Sequence, residues 1–219
     1  WLELGRTDHL YQLLFRRVTR PKPLKEQIAL FGTLGASTRL PLSYRAYSRV
    51  VCAYRAAEAN DPALMHASLA ALDAVAKGLE ADPNTRLCRQ ENRFNRAKLL
   101  ISCYATTLRL QLTLADRPGA AVLGRRALQF CGSLDLTMIE TDTSFRLTRN
   151  LMRVLAINVV EAWASADAAL YRESRQALQV VYDHAHRPEH DNREVHEDHR
   201  ASAVQVMQRV ALIDPTLEN

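Results

Sequence analysis

Three short turns of similar composition recur along the chain and separate long helical stretches. They lie at residues 60–62, 116–119 and 165–167, with the sequences NDP, DRPG and SAD, so successive turns are about 50 to 55 residues apart. On both sides of each turn, apolar residues recur at the three- and four-residue spacing of an amphipathic helix. A pair of antiparallel helices has one apolar face that it cannot bury alone, so neighbouring pairs must cover it. The pattern therefore predicts stacked antiparallel helical hairpins.

The composition and the breaker residues predict an all-α chain with three regions. Alanine, leucine and arginine, which are good helix formers, dominate, and no run alternates β-branched and aromatic residues as a strand would. Residues 1–42 are expected to form N-terminal lead-in helices and residues 43–187 three helical hairpins. Residues 188–219 are expected to form a polar connection and a C-terminal capping helix. The predicted architecture is an α-solenoid.

Two details refine the predicted hairpins. Asp61 is a good N-cap for the helix that follows it, and Pro62 fits the first helical position. The helix predicted from about residue 86 to 115 is apolar on more than one face, which is typical of a helix buried between neighbours.

Some short segments resemble the tetratricopeptide repeat family. The segments KGLEADPN at 77–84 and VALIDPT at 210–216 end an apolar helix with Asp-Pro, as these repeats do. The residues with the seven-residue spacing of the family's small, closely packed positions are Ala120 and Ala127 on one second helix, and Ala67 and Ala74 on another. The resemblance covers about residues 43–187, although the family's repeat is shorter, at about 34 residues. It implies a solenoid whose first helices line a concave groove.

The first helices of the three predicted hairpins carry almost only positive charge. In the windows 39–57, 86–115 and 143–160, thirteen Lys and Arg residues stand against one acidic residue, Glu91, or against three when Glu58 and Glu161, just past the windows, are counted. A merely solvated helix face usually mixes signs, because opposite charges four residues apart stabilise a helix. If the first helices line a groove, that groove is basic. The candidate partner-binding residues are Arg45, Arg49, Arg89, Asn92, Arg93, Arg96, Arg146, Arg149, Asn150 and Arg153.

The chemistry of these side chains indicates an anionic partner. The planar guanidinium binds carboxylate or phosphate through two parallel hydrogen bonds, so we expect a protein or peptide with acidic or carboxylate groups. An anionic small molecule is a second ligand class. The structural alternative is that the arginines pair with Asp and Glu of other helices, or cover apolar surface with their stems. Direct nucleic-acid binding is not expected, because no helix-turn-helix or other recognised motif is present. The sequence leaves the oligomeric state open.

No catalytic or metal-binding constellation is found in the sequence. There is no phosphate-cradling glycine loop, no G-x-S-x-G and no cysteine in a C-x-x-C pair. The four cysteines are therefore expected to be buried, reduced thiols. Five of the seven histidines fall between residues 184 and 199, but their spacing is not that of the zincin helix. We expect a polar connection there and no cofactor, and no metal ligand is assigned, although the sequence leaves open whether the histidine cluster binds a metal.

These features predict a non-enzymatic protein-interaction module, an adaptor or chaperone that binds a peptide or protein segment in a basic groove. A second interpretation is a ligand- or peptide-sensing regulatory domain of a larger bacterial protein, such as a transcription regulator. The third is an all-helical enzyme. The start at Trp1 suggests an excised domain. No apolar run of about 20 residues and no signal peptide are present, so a cytoplasmic location without membrane contact is expected.

Overall fold

The computed structural model describes residues 22–81, 96–136, 146–186 and 193–213. Within these ranges the chain forms helices and no strand, which confirms the all-α prediction. The helices are α1 Leu24–Ala36, α2 Leu42–Glu58, α3 Pro62–Ala81, α4 Arg96–Thr113, α5 Arg117–Gly132, α6 Arg146–Ala164, α7 Ala168–Ala185 and α8 Arg193–Ala211. None of these helices is long and apolar enough to cross a bilayer. The lead-in helix predicted before residue 20 lies outside the described residues.

The chain divides into two compact units, Trp1–Leu99 and Leu100–Asn219. In the first unit α2 packs against both α1 and α3. Three alanines of α2 (Ala46, Ala53 and Ala56) are completely buried, and their small side chains let both neighbours approach closely. Large side chains from those neighbours, Phe31 of α1 and Leu72 of α3, fill the remaining space and are almost completely buried.

In the second unit α6 is the central helix. It packs against α5, α7 and α8, and α7 also contacts α5 and α8. The buried apolar side chains of α6 point in several directions around its axis, as a helix enclosed by neighbours requires; they are Leu147, Leu151, Met152, Val154, Leu155, Val159 and Ala162. The same holds for α4, where Leu100, Ile101, Tyr104, Leu108 and Leu110 are all 0–1% exposed. The prediction that α4 is buried on more than one face is confirmed.

The three inner turns share one backbone geometry. The residue before each turn aspartate has a positive φ, 50° at Asn60, 60° at Ala115 and 55° at Ala166. The N–H of the aspartate then donates to the carbonyl five residues earlier, at 2.7 Å from Asp116 to Gln111 and at 2.9 Å from Asp167 to Ala162. A left-handed residue followed by this bond is the Schellman ending of a helix.

Each turn aspartate also begins the next helix. Its side chain accepts a hydrogen bond from the backbone N–H three residues later, at 3.1 Å for Asp61, 3.0 Å for Asp116 and 3.1 Å for Asp167. The Asp61 cap predicted from the sequence is confirmed. One residue therefore satisfies a carbonyl of the helix that ends and an N–H of the helix that begins.

The prediction about small residues on the second helices is correct for α5 and wrong for α3. Ala120 and Ala127 of α5 are buried, at 3% and 0% exposure. Ala67 and Ala74 of α3 are exposed. The buried face of α3 is instead formed by Met65, Ser68, Leu72, Val75, Ala76 and Leu79, and the helical period places the two alanines away from that face.

The left-handed residue in the third turn generates a stability prediction. Ala166→Gly should raise the free energy of unfolding by about 1 kcal/mol, because an L-residue with a side chain is strained at positive φ and glycine is not. The matched control is Ala164→Gly, two residues earlier in the last turn of α6. It should lower the free energy of unfolding, by less than the roughly 0.5–1 kcal/mol typical of a helix interior, because that alanine is the last helical residue of α6. Urea unfolding of the three proteins measures both changes. A loss of stability in Ala166→Gly similar to that of the control would contradict the turn geometry.

Candidate functional site

The structure separates the ten predicted binding residues into those used within the fold and those still exposed. The described members are Arg45 and Arg49 on α2, Arg96 at the start of α4, and Arg149, Asn150 and Arg153 on α6, while Arg146 is the first residue of α6. The predicted residues that lie outside the described ranges are Arg89, Asn92 and Arg93.

Arg49 lies against the C-terminal end of a neighbouring helix. Its side chain crosses Gly35, in the last turn of α1, so closely that a Cβ placed on that glycine would be 2.7 Å from Arg49 Cδ. The last turn of a helix carries partial negative charge on its free carbonyl groups, which stabilises a nearby cation. Arg45 lies one turn earlier on α2 and is half-buried; its buried Nε–H has no acceptor in the described part of the chain.

Arg96 binds backbone carbonyls of α3. Its Nη2 donates to the carbonyl of Glu80 at 2.5 Å, and its Nε donates to the carbonyl of Leu79. Both carbonyls belong to the last turn of α3, where no helical N–H remains to bind them. In the structure Arg96 therefore caps α3 and is not directed at an external anion.

On α6, the amide of Asn150 is also used inside the fold. Asn150 is 7% exposed, and its Nδ2 donates to the hydroxyl of Ser102 on α4 at 2.8 Å. Arg153, three residues later, is exposed and makes no ion pair with any described residue. Of the described members of the predicted stripe, Arg153 is thus the one most open to solvent.

The carbonyl contacts of Arg96 generate a second stability prediction. Arg96→Ala should lower the free energy of unfolding by about 1.5–3 kcal/mol, because two hydrogen bonds from a charged donor to otherwise unsatisfied carbonyls are lost. The control Arg153→Ala removes an exposed arginine and should change that free energy by less than about 0.5 kcal/mol. Denaturant unfolding distinguishes the two variants, and equal small effects would mean that Arg96 does not cap α3 in solution.

A groove that sequence reasoning missed lies between α5 and α7 in the second unit. It has a volume of about 640 Å³. Apolar side chains from both helices, and from the segment that follows α5, form most of its lining. The lining residues are Arg125, Leu128, Gln129, Cys131, Gly132, Leu134, Leu136, Ala169, Leu170, Glu173, Gln176, Ala177, Val180 and Val181.

The apolar lining combines buried and exposed side chains. Cys131, Leu170 and Val181 are buried, whereas the neighbouring Val180 is 47% exposed. The adjacent valines of α7, Val180 and Val181, are the sequence feature that could have indicated an apolar surface here. Two successive helical residues point about 100° apart, so a helix that buries Val181 leaves Val180 nearer the surface.

The two charged side chains of the groove lining, Arg125 and Glu173, differ in whether they form an ion pair within the protein. Arg125 of α5 forms an ion pair with the carboxylate of Asp167, the residue that caps α7, so the positive charge of Arg125 is compensated within the protein. Glu173, also in the lining, is exposed and has no ion-pair partner among the described residues. The described lining therefore presents apolar surface and, at Glu173, a negative charge without an ion-pair partner among the described residues.

The groove thiol is unreactive at neutral pH. Burial raises the pKa of Cys131 to about 12, and a backbone hydrogen bond opposes this shift only in part. The thiolate is the nucleophilic form of cysteine, so a thiol with this pKa is a poor nucleophile near pH 7. The lining is suited to binding apolar surface.

Within the described ranges, no group of three or more His, Cys, Asp or Glu side chains could hold a metal ion. Of the five clustered histidines, His184 is buried at the end of α7, and Nδ1 of His186 lies 2.7 Å from the carbonyl oxygen of Tyr182. Nothing is described of the side chains of His190, His196 and His199.

Comparison of the chain with protein families, with curated proteins and with solved structures finds no match. The structure thus defines the class of the protein by its fold, an all-α protein with an apolar groove between two helices.

The raised pKa of Cys131 generates a prediction about alkaline stability. The folded protein holds the thiol proton up to about pH 12, whereas the unfolded thiol loses it near the ordinary value of 9.0. Stability from this group is thus present below about pH 9 and is lost as the pH rises towards 12. The native protein should lose up to about 1.4 kcal/mol per pH unit more than Cys131→Ala does above pH 9. Urea unfolding from pH 8 to 10.5 measures both slopes, and equal slopes would contradict the burial of the thiol.

Proposed function

We propose that this protein is a non-enzymatic helical interaction module, an adaptor or chaperone, that binds a segment of another protein in the α5–α7 groove. One observation carries the proposal: a groove of about 640 Å³ is lined mainly by apolar side chains and leaves Val180 47% exposed. Small-molecule pockets of about 300–1,000 Å³ have apolar linings with a few polar groups, and a hydrophobic groove on a protein can likewise take the apolar face of a peptide.

The driving force for binding is the burial of apolar surface. Each Å² of apolar surface removed from water contributes roughly 25 cal/mol, and the exposed part of Val180 and the leucines after α5 would lose contact with water when a partner covers them. The two glutamines of the lining, Gln129 and Gln176, supply hydrogen-bonding groups that can orient the partner.

The proposal moves the binding site away from the predicted basic stripe. Arg96 and Asn150 make hydrogen bonds within the fold, so a partner could bind these side chains only by replacing those bonds. Arg153 is not part of the groove lining, but it is exposed and so available to an acidic group of a partner that extends beyond the groove. Acidic groups on the partner therefore remain part of the proposal as peripheral contacts.

A stacked-hairpin solenoid similar to tetratricopeptide repeats is part of the same proposal. It is supported by the common geometry of the three turns and by the packing of α5 against both helices of the hairpin that follows. A cytoplasmic location belongs to the proposal too, because a reducing compartment keeps buried thiols such as those of Cys52 and Cys131 in the reduced state.

Blocking the groove tests the proposal. Gly132 belongs to the groove lining, and a Cβ placed on it meets no atom within 4 Å, so Gly132→Trp is chosen to bring a large side chain to the groove. Gly132→Ala is the matched control, because it adds one methyl group at the same position and leaves the groove open. Peptides selected on the native protein from a displayed library of helical peptides should bind Gly132→Trp at least tenfold more weakly. They should bind Gly132→Ala as they bind the native protein.

Two measurements complete this test. Circular dichroism and thermal melting of both glycine variants establish that they are folded, so that a loss of binding reports on the groove. Fluorescence anisotropy with labelled peptides gives the dissociation constants. The proposal is wrong if selection on the native protein yields no binding peptide, or if the selected peptides bind the Trp variant as tightly as the native protein.

A further inference from the structure

The backbone chemistry of the groove favours a partner that satisfies its own hydrogen bonds. The lining belongs mostly to α5 and α7, whose backbone groups are bonded within the helices, and most of the side chains that face the groove are apolar. An extended peptide would place backbone N–H and C=O groups against this apolar surface. Each group left without a hydrogen-bond partner there would lower the binding free energy gained. A helix satisfies these groups internally and presents only side chains.

The length of the groove also matches a short helix. Its lining on α7 begins at Ala169 and ends at Val181. At 1.5 Å per residue these positions span about 18 Å, the length of a helix of about twelve residues. Apolar residues at i, i+3, i+4 and i+7 of such a helix would lie along the groove.

The charged side chains of the groove indicate which sign of charge on the partner is favoured. Arg125 cannot attract an anion strongly, because its charge is already compensated by Asp167. Glu173 has no partner among the described residues, and on its own helix the positions three and four residues away are Leu170, Gln176, Ala169 and Ala177, none of them basic. A cation that approaches Glu173 at the edge of an apolar surface is less screened than in bulk water.

From these observations we infer that the groove binds an amphipathic helix with a Lys or Arg at the border of its apolar face, positioned to pair with Glu173. This inference rests on the proposed function and deepens it by naming the partner's chemistry. The groove should therefore prefer a basic residue opposite Glu173. This charge is opposite in sign to the acidic groups that the arginine stripe predicted for the partner.

A charge-reversal experiment tests the inference. The probe is the tightest-binding helical peptide selected on the native protein, made in three versions with Lys, Gln or Glu at the border position where charge has the largest effect. The native protein should bind the Lys version about fivefold more tightly than the Glu version, the ratio expected for an ion pair of about 1 kcal/mol. Glu173→Lys should reverse this order, and Glu173→Gln should remove the preference. Increasing salt should reduce the preference in the native protein.

The outcomes separate this inference from the proposed function. If the peptides bind, lose affinity to Gly132→Trp and show no charge preference, the inference fails and the proposed function stands. If no helical peptide binds, both fail. If the native protein self-associates in sedimentation experiments and Gly132→Trp does not, the occupant is a second copy and the inference is overturned. If an apolar dye binds in a Gly132-dependent way and no peptide does, the groove takes a small molecule and both fail.

Discussion

The helical hairpins depend on two hydrogen bonds that a single aspartate makes at the point where the chain reverses direction. A helix that ends leaves carbonyl groups without donors, and a helix that begins leaves N–H groups without acceptors. At Asp61, Asp116 and Asp167 a single residue answers both needs, since its N–H binds the preceding helix and its carboxylate binds the following one. The left-handed residue before it makes the turn short enough for the two helices to pack side by side. The turn geometry thus depends on contacts between residues that are close in sequence.

The ends of the helices also explain why some arginines of the first helices need no acidic partner. Arg49 lies across the last turn of α1, and Arg96 donates two hydrogen bonds to the last turn of α3. Carbonyl groups at a helix C-terminus carry partial negative charge and attract a cation much as a carboxylate does. A stripe of positive charge without matching acidic residues can therefore be partly structural. Arg153, which is exposed and makes no ion pair with a described residue, remains free to act at the surface.

The groove lies between α5 and α7, which both pack against α6. Ala127 of α5 and Leu178 of α7 are completely buried, whereas Val180, two residues after Leu178 on α7, is 47% exposed. The ion pair between Arg125 and Asp167 joins the two helices at the start of α7, and Glu173 is left without a partner among the described residues. If a partner binds this surface, shape and apolar contact would supply affinity while the charge of Glu173 would discriminate between partners.

The sequence by itself determined the secondary structure and the turns, because both depend on interactions within a few residues. The apolar period of 3.6 residues predicted the helices, and the Asp61 cap and the burial of α4 on several faces followed from the same local pattern. Only the tertiary structure decided which faces meet. Ala67 and Ala74 have the spacing of packed residues and are nevertheless exposed, and Arg96 finds its carbonyl partners 16 and 17 residues earlier in the chain. Arg125 and Asp167, which join the helices of the groove, are 42 residues apart. Such pairings depend on how side chains fill the space between helices, and helical periodicity carries no information about the neighbour that a face will contact.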